Sequence, residues 1–281
     1  MIQVQQLKYQ YPKTDAYVLK GLNFKIGAGE IFGFLGPSGS GKSTTQKILF
    51  KLLNGYEGSA RIEGKELSKW NKELYEKVGV GFELPNHYLK LSAIENLHFF
   101  GQFYSKMLDP MTLLERVGLA KDAHKKVDDY SKGMKMRLNF VRAFLHDPQI
   151  LFLDEPTGGL DPVNAKLVKD IIRELKAQGK TIFLTTHQMI DAEQLCDRIA
   201  FIVDGEIKLT DSPEQLRIQH SKREVEVRFK GKAEKATFPL ADLGQNEQFL
   251  AQIQKHDIET IHSKEASLDD IFIEVTGESL V

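Results

Sequence analysis

Eight residues, Gly36 to Ser43, constrain the fold of this chain more than any other segment. They read Gly-Pro-Ser-Gly-Ser-Gly-Lys-Ser and directly follow the apolar run Ile31 to Leu35. This spacing fits the loop G-x-x-x-x-G-K-[ST], whose backbone N–H groups and following helix surround the phosphates of a nucleotide. A Gly/Ser-rich turn with a chance lysine is the alternative. The pattern predicts strand, loop and helix in that order, and a nucleotide-binding α/β domain.

The loop also predicts individual roles. Lys42 supplies a point charge for the phosphates, and the Ser43 hydroxyl is expected on a Mg²⁺ ion that bridges them. The following helix is expected over Ser43 to Leu53, with its apolar side chains Ile48, Leu49, Leu52 and Leu53 turned inward. The nucleotide-binding set predicted here is Gly36, Pro37, Ser38, Gly39, Ser40, Gly41, Lys42, Ser43 and Thr44.

Composition narrows the class of protein. Lys plus Arg total 38 and Asp plus Glu total 39, so the net charge of -1 gives no general attraction to nucleic acid. The single cysteine, Cys196, excludes an internal disulfide and suits a reducing compartment. No apolar run approaches the roughly 20 residues that span a bilayer, and the first residues do not resemble a targeting segment. We therefore expect a cytoplasmic protein.

The order of strand and helix patterns predicts two domains. Two alternating runs near the start, Ile2 to Tyr9 and Tyr17 to Ile26, indicate antiparallel strands, and a helical insert is expected at about 84–145. From Gln149 onward strands and helices alternate, which predicts a parallel sheet covered by helices. Composition changes near Pro213, so we predict a main α/β domain over 1–212 and a small α+β domain over 213–281.

Two further strand ends carry polar residues suited to nucleotide hydrolysis. Asp154 and Glu155 follow the apolar run Ile150 to Leu153, in a strand expected beside the loop strand. Asp154 is the candidate for Mg²⁺, and Glu155 the candidate that orients and activates water; alternatively, Asp154 only caps the strand end before a turn. His187 ends the next apolar run and is a candidate sensor of the γ-phosphate, although a lone histidine at a strand end is more often structural than functional.

The ordered set of motifs resembles the ATP-binding cassette (ABC) ATPases, the motor subunits of ABC transporters. Its most specific part is Tyr130-Ser131-Lys132-Gly133-Met134, which is similar to that family's signature sequence and precedes Asp154 by about 20 residues, together with Gly159-Leu160-Asp161. The resemblance covers roughly residues 2–212. It implies a RecA-like parallel sheet with an antiparallel β subdomain and a helical insert, with ATP and Mg²⁺ as cofactors.

The resemblance also implies residue roles across a dimer. Ser131 and Gly133 would contact the γ-phosphate held by a facing cassette, and Asp161 would lie at the dimer seam. Tyr11 resembles the aromatic residue that stacks on adenine, with Tyr9 and Tyr17 as nearby competitors. Because the chain has one phosphate loop and one signature, we expect it to pair with a second cassette, in a homodimer or a heterodimer.

The chain departs from the family pattern at two places. The signature has Tyr130, Lys132 and Met134 where the family usually has Leu, Gly and Gln, a variant that resembles cassettes of bacterial exporters. Glu83 stands where a glutamine is usual. A glutamate can still bind Mg²⁺ but cannot donate a hydrogen bond while ionised. We expect Ser43, Glu83 and Asp154 to be the metal ligands, and Glu83 to alter turnover.

The leading interpretation is an ATP-hydrolysing subunit that drives export through a separate transmembrane permease, at the cytoplasmic face of the plasma membrane. Lys42, Glu155 and His187 would be its catalytic residues. A soluble ABC ATPase acting on nucleic acid or ribosomes is the alternative, and a nucleotide-gated regulator with low turnover is another. The C-terminal segment around Ser267 to Thr276 resembles the ending of exporter cassettes and is expected to regulate, to support dimerisation or only to stabilise.

Overall fold

A computed structural model describes residues 1–221, 223–232 and 234–278. The chain divides into two compact units, Met1–Ser212 and Pro213–Glu278. None of the helices in these ranges is long and apolar enough to cross a bilayer.

The first unit combines strands and helices in the following order. Its strands are β1 Ile2–Tyr9, β2 Leu19–Ile26, β3 Ile31–Leu35, β4 Glu57–Ile62, β5 Lys65–Glu66, β6 Val78–Gly81, β7 Ile150–Asp154, β8 Thr181–Thr186, β9 Arg198–Val203 and β10 Glu206–Asp211. Its α-helices are α1 Lys42–Leu49, α2 Glu73–Lys77, α3 Ala93–Gly101, α4 Pro110–Arg116, α5 Lys132–Ala143, α6 Pro162–Ala177 and α7 Met189–Leu195. Short 3₁₀ turns cover Leu67–Lys69, Ala120–Asp122 and Val127–Asp129.

A six-stranded sheet forms the centre of this unit, in the order β10-β9-β3-β8-β7-β6. All neighbours from β9 to β6 pair in parallel, and only β10 runs antiparallel to β9. Strands β3 and β8 are buried along their whole length, as expected for a sheet covered on both faces. The side chains of Phe32, Phe34 and Phe183 pack together at the centre, with ring centroids 5.3–6.3 Å apart.

A second sheet is antiparallel, in the order β2-β1-β4-β5. The buried alternate residues of β1 and β2, such as Ile2, Val4 and Ile26, pack into the same core as Phe32 and Phe34. The helices α3, α4 and α5 lie between β6 and β7 in the chain, so the insert leaves one parallel strand and returns to its neighbour. The predicted α/β fold, with an antiparallel subdomain and a helical insert, is confirmed.

Two local expectations were wrong. Strand β7 does not pair with β3, because β8 lies between them; the strand that ends at Asp154 is therefore one position removed from the loop strand. The helix after the phosphate loop ends at Leu49, and Lys51 adopts a positive φ of 60°. Leu52 consequently turns outward and is 57% exposed.

The second unit begins with α8 Pro213–His220 and contains a three-stranded antiparallel sheet in the order β12-β11-β13. The elements of this unit that follow α8 are β11 Glu224–Phe229, β12 Lys235–Pro239, the 3₁₀ turn Leu243–Gln245, α9 Glu247–Lys255, β13 Ile258–Ser263 and α10 Leu268–Thr276. Its core is built from Val225, Val227, Phe229, Phe238 and Phe249, which join the sheet to α9. Of the C-terminal domain predicted over 213–281, residues 222, 233 and 279–281 lie outside the described residues.

Candidate active site at the carboxyl edge of the parallel sheet

Four parallel strands deliver the polar candidates to one edge of the sheet. The phosphate loop follows β3, His187 follows β8, Asp154 and Glu155 end and follow β7, and Glu83 follows β6. In open α/β sheets the carboxyl ends of the strands form the ligand-binding edge. Since β3, β8, β7 and β6 are consecutive neighbours, residues far apart in the sequence meet at this edge.

The phosphate loop has the backbone of an anion cradle. A Cβ atom on Gly36 would lie 2.0 Å from the carbonyl oxygen of Ile202, so only glycine fits there. Gly39 and Gly41 have φ angles of 82° and 107°, which favour glycine. These glycines let the loop turn tightly, as a loop that surrounds a phosphate group requires.

The Lys42 ammonium lies inside this loop. Its Nζ donates to the carbonyl oxygens of Gly36 at 2.6 Å and Pro37 at 2.9 Å. Burial lowers the pKa of Lys42, and the negative charges of Glu155 and Asp154 partly oppose that shift. Ser43 of the loop and Asp154 at the end of β7 line the same cavity.

Asp154 is held in place by neighbouring strands and by α1. The Thr185 hydroxyl of β8 donates to Asp154 Oδ1. Gln46 of α1 donates from Nε2 to the carbonyl oxygens of Leu153 and Phe183, both at 3.3 Å. The contacts of Thr185 and Gln46 were not predicted. Gln46 is 2% exposed and, like Thr44 and Thr45, is a buried polar residue of α1; the only signal in the sequence was a polar residue on the helix that follows the phosphate loop.

The three predicted metal ligands open onto one cavity. Ser43, Glu83 and Asp154 are among the residues that line a space of about 860 Å³. One hydroxyl and two carboxylates fit the oxygen chemistry of Mg²⁺, which keeps several waters and takes few protein ligands. Within the described ranges, no group of three or more His, Cys, Asp or Glu side chains is arranged to hold a metal ion.

Glu155 is the most constrained side chain of the site. It is 7% exposed and has a φ of 48°, an uncommon backbone conformation for a residue other than glycine. Its Oε2 accepts from the Thr186 hydroxyl at 3.0 Å, and its Oε1 accepts from the His187 backbone N–H at 2.9 Å. Burial raises the pKa of Glu155, although the hydrogen bond and charge of His187 oppose it. A buried carboxylate of raised pKa is a stronger base than an exposed one.

His187 completes this arrangement from the exposed side. Its ring Nδ1 lies 2.7 Å from Glu155 Oε1, so Nδ1–H donates to the carboxylate when Glu155 is ionised. The His187 side chain is 57% exposed, against 9% for that of Glu155. The imidazole therefore reaches the open side of the site, while Glu155 remains behind it.

Tyr11 lies beside the helix that follows the phosphate loop. Its hydroxyl is 3.1 Å from Thr44 Oγ1, and its ring packs edge-on against Tyr9 with centroids 5.0 Å apart. Tyr9 is 4% exposed, and Tyr17 donates to Glu57 at 2.6 Å. Among the three tyrosines weighed from the sequence, Tyr11 is the one that contacts the helix after the phosphate loop.

The signature residues lie at the exposed start of α5, a helix that is buried from Met136 onward on one side. Ser131 caps α5 by accepting from the Met134 backbone N–H at 3.3 Å. A Cβ on Gly133 would meet only Leu160 Cδ2, at 3.7 Å. Asp161 caps α6 and accepts from the backbone N–H groups of Val163 and Asn164, both at 3.1 Å. In the described part of the chain, no hydrogen bond or ion pair joins Ser131, Gly133 or Asp161 to the phosphate loop.

Two sequence families match parts of the chain. Residues 19–158 match the family described as ABC transporter. Residues 223–265 match the family described as fluoroquinolone efflux ABC transporter C-terminal domain.

One relative and one solved structure are similar to all or nearly all of the chain, and a second solved structure is similar to three quarters of it. The fluoroquinolones export ATP-binding protein of Mycobacterium tuberculosis strain H37Rv is 54% identical over 284 residues, spanning 100% of this chain and 94% of the relative. A solved ATP-binding subunit of an ABC transporter has a TM-score of 0.75 at 25% identity, covering 98% of this chain and 99% of the other. A dimeric ATP-binding cassette in a post-hydrolysis state with ADP and Pi has a TM-score of 0.70 at 27% identity, covering 75% and 98%.

Proposed function

This chain belongs to the ABC transporter family, and we propose on that premise that it works as a dimer of ATPase cassettes bound to a separate membrane-spanning permease. The chain is an ATP-hydrolysing subunit of exporter type. The permease, the arrangement of the dimer and the role of each site residue belong to the proposal.

One observation carries the proposal: the four consecutive strand ends hold different parts of a hydrolytic site. Lys42 and the loop backbone bind phosphates, and Ser43, Asp154 and Glu83 would hold Mg²⁺, which neutralises phosphate charge when bound. Glu155 has the burial and the raised pKa of a base that removes a proton from the attacking water.

His187 supports Glu155 and faces the open side of the site. Its Nδ1–H bond to Glu155 fixes the ring orientation and leaves Nε2 as the second polar atom of the ring. This geometry supports a role as a γ-phosphate contact that responds to the state of the nucleotide. Because backbone and hydroxyl donors already hold the Glu155 carboxylate, little reorganisation is needed at the moment of reaction.

The signature supports a site completed by a second cassette. Ser131 and Gly133 are at the N-terminal end of α5, where backbone N–H groups and the helix dipole favour an anion. They make no bond to the phosphate loop of their own chain in the described residues. In a homodimer, the phosphate loop of each chain would face the signature of the other, which gives two complete sites. A heterodimer with a related cassette would give two complete sites as well.

Exposed apolar side chains support a permease contact beside Glu83. Leu84 is 76% exposed, and Leu52 and Tyr75, which line the same cavity, are 57% and 46% exposed. Tyr88, 50% exposed, packs against Phe99 with centroids 4.6 Å apart. We call Leu52, Tyr75, Leu84 and Tyr88 the apolar face. Exposed apolar surface beside a catalytic cavity is typical of a protein contact.

The permease contact can be tested in membranes. The tagged chain, extracted from membranes in mild detergent, should co-purify with a membrane-spanning polypeptide, and adding that polypeptide should raise ATP hydrolysis. Leu84→Glu should abolish both effects, because a charge is desolvated at the apolar face. Ile218→Glu, at a 55% exposed isoleucine of α8, is the matched control.

Two outcomes would contradict this proposal. Co-purification with ribosomal proteins or nucleic acid instead of a membrane protein would favour the soluble alternative. An equal loss in both variants would remove the apolar face as the contact. Fluoroquinolones, named for the mycobacterial relative, are the first cargo to test, by drug sensitivity of cells that lack the chain.

A further inference from the structure

The segment that contains Glu83 is tied to the signature helix by a buried side chain. Asn139 of α5 donates from Nδ2 to the carbonyl oxygen of Phe82 at 2.6 Å, directly before Glu83. Asn139 is 3% exposed, and its Oδ1 accepts from Arg142 Nη2 at 3.0 Å. Because both ends of the amide are engaged, its orientation is fixed.

Two further contacts fasten the same segment to the same helix. Arg142 donates to the carbonyl oxygen of Asn86, and its guanidinium lies 4.5 Å from the ring centroid of Phe100. His87 Nε2 donates to the Lys135 carbonyl oxygen at 3.0 Å. Burial lowers the pKa of His87 to about 4, so the ring is neutral at physiological pH.

These contacts come from consecutive turns of α5. Positions 135, 139 and 142 are spaced by four and three residues and therefore share one face of the helix. The same helix begins directly after Ser131, which caps it. Hydrogen bonds therefore connect the segment from Phe82 to His87 directly to the helix that carries the signature at its start.

We propose that Asn139 is a positioning residue that sets Glu83 relative to the signature end of α5. It holds the Phe82 carbonyl, and the next residue, Glu83, then projects into the cavity shared with Ser43 and Asp154. A small void of about 10 Å³ lined by Phe82, Asn139 and Asp154 places the amide beside the end of β7 as well. This inference rests on the role proposed for Glu83.

The sequence offers a matched pair of substitutions for the test. Asn139→Asp keeps the size and the acceptor for Arg142 but removes the donor to Phe82. Asn23→Asp makes the same change at an exposed amide that donates to the Gly21 carbonyl at 2.9 Å in the antiparallel sheet. Both variants would be examined as the full chain, by amide hydrogen exchange and by ATPase kinetics.

In Asn139→Asp, exchange of the Tyr88 amide, which donates to Asn96 Oδ1 at 2.9 Å where the segment ends, should rise about tenfold, since the Phe82 carbonyl loses its buried donor. Exchange in the phosphate loop and the dissociation constant for ATP should not change. The value of kcat should fall about tenfold. Asn23→Asp should leave all of these quantities unchanged.

A double-mutant cycle with Glu83→Ala separates positioning from general destabilisation. If Asn139 acts through Glu83, Asn139→Asp should change kcat by less than about twofold in the Glu83→Ala background. The same tenfold loss in both backgrounds would overturn the proposal, and so would unchanged exchange in the segment.

Two further results also have a defined interpretation: failure of Asn139→Asp to fold, and an unchanged kcat in Glu83→Ala. If Asn139→Asp does not fold, Arg142→Lys removes the bond to Asn86 and should give the same segment-specific exchange and the same dependence on Glu83; its failure to do so overturns the proposal. If Glu83→Ala alone leaves kcat unchanged, the catalytic role of Glu83 is wrong. In that case the exchange result alone decides whether Asn139 holds the segment.

Discussion

The end of β7 and the start of α5 carry the two halves of the proposed site, and they differ in how complete they are within one chain. At the end of β7, Glu155 is buried and accepts bonds from Thr186 and His187. Ser131 at the start of α5 and Asp161 at the start of α6 are exposed, and their side chains only cap their own helices. The side chains at the end of β7 are already held by hydrogen bonds within one chain, and we call them the organised half. The start of α5, where the first backbone N–H groups of the helix are available to a ligand, is the exposed half.

This difference suggests how one chain avoids uncontrolled hydrolysis. A preorganised base costs little at the moment of reaction, but it has no effect until charge on the γ-phosphate is stabilised from the opposite side. Caps of the Ser131 kind leave the first N–H groups of the helix directed outward, where an anion held by another cassette can accept them. We therefore expect assembly of the proposed dimer to control hydrolysis at this site.

The largest expected effect is on the organised half. Glu155→Gln removes the base but keeps the shape of the side chain, so kcat should fall about a thousandfold while ATP still binds. The closed dimer should accumulate with ATP, which light scattering or sedimentation would detect. Substantial turnover in Glu155→Gln would show that another group activates the water.

A mixing experiment tests whether the exposed half acts across the dimer. Gly133→Asp places a negative charge where phosphate is expected, and the space beside Gly133 accommodates a side chain; alone it should be as inactive as Glu155→Gln. In a mixed dimer one site combines both defects and the other has neither. Equal mixing should therefore restore about a quarter of wild-type activity, since half the dimers are mixed.

The control for mixing is Glu155→Gln combined with itself at the same total concentration, which should stay inactive. Absence of any recovery, with mixed dimers shown to form, would mean that both halves act within one chain or that both sites must be intact.

The sequence predicted the strand ends at which the residues of the organised half lie, because each of them comes at or directly after the end of an apolar run. Asp154 and His187 follow runs of buried residues that only a covered parallel sheet explains. The order of the strands within the sheet was harder to predict from the sequence, because nothing in the run Ile150 to Leu153 reveals that β8 lies between this strand and β3. Strand order depends on how helices cross the sheet, which local patterns do not encode.

Strand β6 and the Asn139 contact were missed for related reasons. The run Val78 to Gly81 is short and contains two glycines, which reduces its strand signal. A Cβ on Gly79 would lie 1.8 Å from the Ala143 carbonyl oxygen, so glycine is required there for close approach of α5. Asn139 stands between the apolar residues Leu138 and Phe140 of α5, which was the remaining signal, but its partner is a backbone carbonyl that no sequence pattern identifies.

The smallest expected effect concerns stability and has a defined sign. The folded-state pKa of Glu155 is raised by burial above its value of 4.5 in an unfolded chain. Its contribution to stability is therefore fully present below pH 4.5 and is lost as the pH rises through the folded-state pKa. At pH 8 the buried charge opposes folding, and Glu155→Gln should raise Tm by a few degrees.

This gain should shrink as the pH falls toward 4.5, because wild-type Glu155 is then protonated and resembles glutamine. Thermal melts from pH 8 to pH 5 would measure the difference, with Glu73→Gln, at an exposed carboxyl of α2, as the control substitution. A Glu155→Gln variant less stable than the wild type at pH 8 would mean that the bonds from Thr186 and His187 outweigh burial. In that case the ionised Glu155 carboxylate would stabilise the fold. The organised half would then differ from the exposed signature in its hydrogen bonds but would not lower the stability of the protein.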